Sequence, residues 1–118
     1  MSDAPAFRGG KNLALKVPAH QFAATVEAYR ALGIPVLSEA ARAVVFQWGT
    51  SFLHVAPDNL SQAELWLELI VPDADAAAEQ LAKTPFVRCD AIEPLRPGFP
   101  GFWVTSPASI IHLVTENE

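Results

Sequence analysis

Apolar and polar residues alternate with a period of two from Asn12 to Val17 (NLALKV): Leu13, Leu15 and Val17 share one side, and Asn12, Ala14 and Lys16 the other. This is the signature of a half-buried strand. Pro18 ends it. From His20 to Leu32 the apolar positions Phe22, Val26 and Tyr29 recur at helical spacing, and Gly33 stands where a helix C-terminus favours a left-handed residue. Three short β-rich runs follow, Pro35 to Ser38, Arg42 to Trp48 and Ser51 to Val55, separated by turn-length connections at Glu39 to Ala41 and at Gly49-Thr50. The predicted order is β-α-β-β-β.

After a polar linker over residues 57–62 the same order begins again. Leu65 to Val71 (LWLELIV) alternates, with Leu65, Leu67, Leu69 and Val71 on one face and Trp66, Glu68 and Ile70 on the other, and Pro72 ends the run as Pro18 ended the first. Asp73 suits the N-cap of a helix from Ala74 to Lys83. Phe86 to Cys89 reads as a strand. Asp90 to Gly101 (DAIEPLRPGFPG) carries three prolines and two glycines, so it reads as a loop that covers or borders something. Phe102 to Glu116 then supplies a strand, a turn over Ser106 to Ser109 and a last strand. The Val-Pro pairs at 17 and 71 and the histidines His54 and His112 mark the two copies, so the histidines are expected at matching places.

Composition narrows the partners. With 118 residues, 51% hydrophobic and 18% charged, the chain has material for one packed domain, expected over residues 11–118 in modules of about 11–56 and 63–116. Residues 1–10, with Pro5 and Gly9-Gly10, read as a flexible lead-in. The net charge of −5 and the scattered eight lysines and arginines argue against nucleic acid and anionic membrane as partners. A lone cysteine, Cys89, and no apolar leader of signal length point to a reducing, cytoplasmic compartment, with Cys89 structural. No Gly-x-Ser-x-Gly, phosphate loop or His-Glu-x-x-His is present.

The doubled module, with the segments VEAYRALGIPV, VPDADAAAEQL and VTSPASIIHLV, resembles the vicinal oxygen chelate superfamily of glyoxalase I, bleomycin-resistance proteins and extradiol dioxygenases, over Asn12 to Thr115. The resemblance implies an α+β fold in which the modules form a curved mixed sheet, a cup, with helices on the outer face. It also implies a homodimer. Ser106-Pro107-Ala108-Ser109 departs from the acidic, glycine-ending turn common there. In metal-dependent members four strand positions hold a divalent ion, and carried over they fall on Asn12, His54, Trp66 and His112. Tryptophan offers no lone pair and an amide oxygen is a weak ligand, which leaves His54 and His112 as the candidate metal ligands, with Glu68 a displaced third.

The face opposite the helices is expected to carry Asn12, Lys16, Phe46, Trp48, Phe52, His54, Trp66, Glu68 and His112, with the strand leucines and valines beneath the helices. Aromatic area with a few directed polar groups suits an organic ligand. The candidate ligand-binding set is therefore Asn12, Trp48, Phe52, His54, Trp66, Glu68, Trp103 and His112. The leading expectation is a binder of a small organic molecule, aromatic or cationic, with no obligatory cofactor. The first alternative is a divalent-metal lyase or dioxygenase using His54 and His112. In the second, the tryptophans and histidines fill the space between the modules and the chain is a non-catalytic scaffold.

Overall fold

A computed structural model describes residues 6–116. The chain is α+β and repeats β-α-β-β-β, as the alternation predicts. It divides into two compact units, Lys11–Trp66 and Leu67–Glu118 with Met1–Gly10.

In the first unit β2 (Asn12–Pro18) leads through a short 3₁₀ turn, Ala19–Gln21, into α1 (Phe22–Ala31). Gly33, with φ of 80°, closes that helix: its N–H and that of Ile34 donate to the carbonyls of Arg30 and Tyr29. Strands β3 (Val36–Ala40), β4 (Ala43–Trp48) and β5 (Ser51–Asp58) follow as an antiparallel ribbon, and β5 returns parallel to β2. The opening residues of β6 (Glu64–Ile70) add to the free edge of β2, antiparallel. Val17, Val44, Phe46, Leu53 and Val55 pack with Val26 of α1, and Phe22, Tyr29, Leu13 and Leu15 complete this core.

The second unit takes up the rest of β6, then α2 (Ala74–Leu81), β7 (Val87–Arg88), β8 (Gly101–Thr105) and β9 (Ile111–Thr115). Strand β9 is parallel to β6 and antiparallel to β8, and β7 pairs with β8. Asp73 caps α2 by accepting from Ala76 N–H at 3.1 Å, and Glu116 accepts from Ala74 N–H at 2.8 Å. Ala74, Ala77 and Leu81 press on Val71, Phe102, Val104 and Val114. Small alanines permit this close approach of helix to sheet.

The amino-terminal lead-in is shorter than the composition suggests. Arg8–Gly9 forms β1, antiparallel to β6, and Gly10 N–H donates to the Glu68 carbonyl at 2.9 Å. Glu68 folds across Gly10 so closely that a Cβ there would overlap its carboxylate, which explains the glycine. Residues 1–5 of the expected flexible segment lie outside the described residues. The strand expected over Phe86 to Cys89 shrinks to two residues. Pro94, Pro97 and Pro100 cannot donate to a ladder, so the chain leaves the sheet and loops back at Gly101.

The loop over 90–100 covers the indole of Trp103, whose Nε1–H donates to the Glu93 carbonyl at 2.9 Å. Where the loop rejoins the sheet, a Cβ at Gly101 would overlap the Val114 carbonyl oxygen.

Candidate functional site

Strand register assigns each candidate to a face, and it corrects three of them. Gly49-Thr50 is a two-residue hairpin loop with Trp48 opposite Ser51, so Phe46 lies opposite Leu53, and Gln47 opposite Phe52. Phe46 and Trp48 therefore share the helix side with Leu53 and Val55, contrary to the expected face. Phe46 is fully buried, and the ring of Tyr29 meets both Phe46 and Trp48 edge-on at 5.5 Å. Counting across the two-residue turn in the sequence would have revealed this.

The third correction is His112. It pairs with Val104 and Leu67, residues whose side of the sheet carries α2, and it meets Phe86 edge-on at 5.5 Å. Its Nδ1–H donates to the Ile110 carbonyl at 3.0 Å. Matching the two units strand by strand, Val17 opposite Pro57 corresponds to Val71, whose N–H bonds the Thr115 carbonyl. Leu53 then corresponds to His112, and His54 to Leu113. The two histidines are one residue out of step, and one residue on a strand exchanges the faces.

What the first unit does assemble on the side away from α1 is Asn12, Lys16, Gln47, Phe52, His54 and Trp66, together with Glu64. Asn12 and His54 sit on neighbouring parallel strands, and His54 Nε2–H donates to Asn12 Oδ1 at 2.8 Å. An amide oxygen only accepts, so this bond fixes the tautomer with the proton on Nε2 and the lone pair on Nδ1. Burial, and secondarily the Lys16 charge, lowers the His54 pKa below its ordinary 6.5, so the ring is neutral at neutral pH.

Trp66 is buried, with its Nε1–H donating to Glu64 Oε1 at 2.9 Å and the Lys16 ammonium 4.8 Å from its ring centroid. The strand alternation Glu64-Leu65-Trp66, which puts Glu64 and Trp66 on one face, is the sequence signal for that orienting carboxylate. Gln47, absent from the expected set, donates from Nε2 to the Gly49 carbonyl at 2.5 Å and steadies the hairpin beside Phe52.

In the second unit, Glu68 and Trp103 lie on the side away from α2, Glu68 across Gly10 and Trp103 under the proline-rich loop. Leu65, expected beneath a helix, is 42% exposed although it pairs with Leu15 of the core-facing side.

These residues do not fit a family-type metal centre. Trp66 has no lone pair, and Asn12 Oδ1 is engaged by the Nε2–H of His54. His112 belongs to the helix-bearing face of its own unit. Among the described residues no cluster of three or more His, Cys, Asp or Glu has metal-holding geometry. No helix among them is long and apolar enough to cross a membrane.

No family model and no curated protein matches the sequence. Solved structures do match the fold. Homoprotocatechuate 2,3-dioxygenase from Brevibacterium fuscum superposes with a TM-score of 0.62 at 18% identity over 95% of this chain and 33% of its own. A Mn(II)-bound glyoxalase from Novosphingobium aromaticivorans gives 0.57 at 16% identity, over 95% of this chain and 40% of its own. A protein described as NAD-dependent benzaldehyde dehydrogenase from Legionella pneumophila gives 0.58 at 14% identity, over 86% and 96%. The chain thus spans about a third of the dioxygenase's length. At these identities the activities of the neighbours remain their own, and what is shared is architecture: this chain has the fold of the vicinal oxygen chelate superfamily.

Proposed function

We propose that the chain is a small-molecule-binding protein that takes an organic ligand with an aromatic body on the Asn12–His54–Trp66 face, without obligatory metal. The observation that carries this reading is the Asn12–His54 bond beside the oriented Trp66. A neutral imidazole with its tautomer fixed offers one acceptor, Nδ1, to a ligand N–H or O–H, while half-buried Phe52 supplies aromatic area and the buried Trp66, fixed by Glu64, backs the same face. The lysine on the same face weighs for an aromatic rather than a cationic ligand. A homodimer is part of the same proposal.

A screen of aromatic compounds read by the indole N–H resonance of Trp66 tests it. Hits are expected to move that resonance and to lose at least fivefold in affinity in His54→Ala. A silent screen at millimolar ligand overturns the binding reading and leaves a non-binding scaffold.

The second reading, a divalent-metal lyase or dioxygenase, is favoured by the Mn(II)-bound glyoxalase among the neighbours. Titration with Zn, Ni, Mn and Fe(II) separates the two. Tight stoichiometric binding abolished by His54→Ala would establish the metal reading, whereas the donor set described above predicts none.

A further inference from the structure

The two units treat the space between helix and outermost strand differently. In the first, a groove of about 500 Å³ between α1 and β3 is crossed by the ion pair of Arg30 and Glu39, so a charged strap ties the helix to a five-residue edge strand. In the second, the corresponding groove of about 530 Å³ lies between α2 and the two-residue β7, and its walls are Ala78, Leu81, Ala82, Phe86, Val87, Phe102 and Val104. No ion pair crosses it among the described residues. Its floor is the core itself, Phe102 and Val104 being buried, whereas Val87 at its lip is 61% exposed.

Its two charged lining residues are Glu79 and Arg88. Arg88 is held in place on two sides. Its guanidinium lies over the Phe102 ring at 4.6 Å, and its Nε–H is shared by the two carboxylate oxygens of Asp90 at 3.0 and 3.2 Å. Among the described residues the Nη groups make no hydrogen bond. Their four N–H donors are in the fork geometry that a carboxylate accepts.

We propose that this groove is a second small-molecule site, for a monocarboxylate with an unbranched apolar body. The chain lies on Ala78, Leu81, Ala82 and Phe102, and the head group meets Arg88. The volume falls within the range of ligand pockets, about 300–1,000 Å³, and apolar walls with one oriented polar anchor are their usual make-up. Ala78 and Ala82 put no bulky side chain on the helix side of the groove, so an extended chain can lie along it against Phe102 and Val104. Glu79 disfavours a dianion by like charge. Asp90 already holds the Nε edge, so the anchor is worth less than a bare guanidinium and a modest affinity is expected.

Decanoate below its micelle threshold, titrated into the full ¹⁵N-labelled chain, tests this, with decanol as the uncharged control. Saturable shifts are expected at residues 78–82, 86–88 and 102–104, with decanol at least fivefold weaker. Arg88→Gln should bring decanoate down to the decanol level, Arg88→Lys should restore part of the difference, and Ala82→Trp, which fills the groove from an exposed position, should abolish binding with the circular dichroism spectrum unchanged. Equal binding of the two probes, indifference to Arg88→Gln, or shifts at Trp66 and His54 instead would overturn the proposal. So would sedimentation showing that Ala82→Trp splits an oligomer, because the groove would then be covered by a second copy of the chain.

Discussion

The first unit closes its sheet with a three-strand antiparallel ribbon, and the second replaces the outermost of those strands with two residues and a loop rich in proline. Their helices differ in the same sense. Helix α1 brings Phe22 and Tyr29 to its sheet, whereas α2 brings alanines and Leu81. One module can thus be completed by large side chains under a full ribbon, or by a closely seated helix that leaves the margin of the core open. The lesson for the site is that matching modules does not match their side chains. Offset by one residue between β5 and β9, His54 lies on the face away from its helix and His112 on the face toward its own.

The largest expected effect sharpens the assignment of faces. Phe46→Ala in the first unit is expected to cost about 3–5 kcal/mol in urea unfolding, as a fully buried aromatic does, and Phe52→Ala, half-buried on the other side, less than half as much. Equal costs would break the comparison. In the second unit, Gly101→Ala is expected to lose about 2 kcal/mol, because the added methyl group meets the rigid Val114 carbonyl. Gly10→Ala should lose less, since there the obstacle is the movable Glu68 side chain.

A smaller effect separates the histidines by pH. The His54 pKa is lower folded than unfolded, so between those values the unfolded chain binds more protons. The stability contributed by neutral His54 is complete above about pH 6.5 and falls as pH drops through that value toward the folded pKa. In His54→Gln, unfolding curves recorded from pH 7.5 to 5 should lose that part of the pH dependence. An unchanged profile would mean that burial and Lys16 do not act on His54 as described.

The smallest expected effect concerns the turn before β9. Ser109 stands at φ 64°, a left-handed position held by a residue with a Cβ, while the flanking bonds Ser106 N–H to Ile110 O and Ser109 N–H to Ser106 O are satisfied. Ser109→Gly is expected to stabilise the chain by about 0.5–1 kcal/mol in the same assay. A loss would show that the Ser109 side chain contributes something the backbone geometry does not reveal.

Much of the fold is legible in particular residues. Pro18 and Pro72 end β2 and β6 within one residue of where the sequence places the stops, because a residue without an N–H cannot extend a ladder on that side. Gly33 and Asp73 terminate and start the helices for equally local reasons. Asn12 and His54 could be chosen from alternation and the doubled pattern. Their hydrogen bond could not, since it joins residues 42 positions apart and depends on the parallel register of β2 and β5.

The sequence by itself therefore determined the α+β class, the doubled order of elements, and the turns and caps, all of which are set within a few residues by backbone sterics and side-chain period. Only the tertiary structure decided which face His112, Phe46 and Trp48 occupy, that Glu64 orients Trp66, and that Arg88 sits at the open margin of the second core. Those outcomes depend on register between distant strands, where a shift of one residue exchanges the two faces while leaving the apolar pattern of each strand intact.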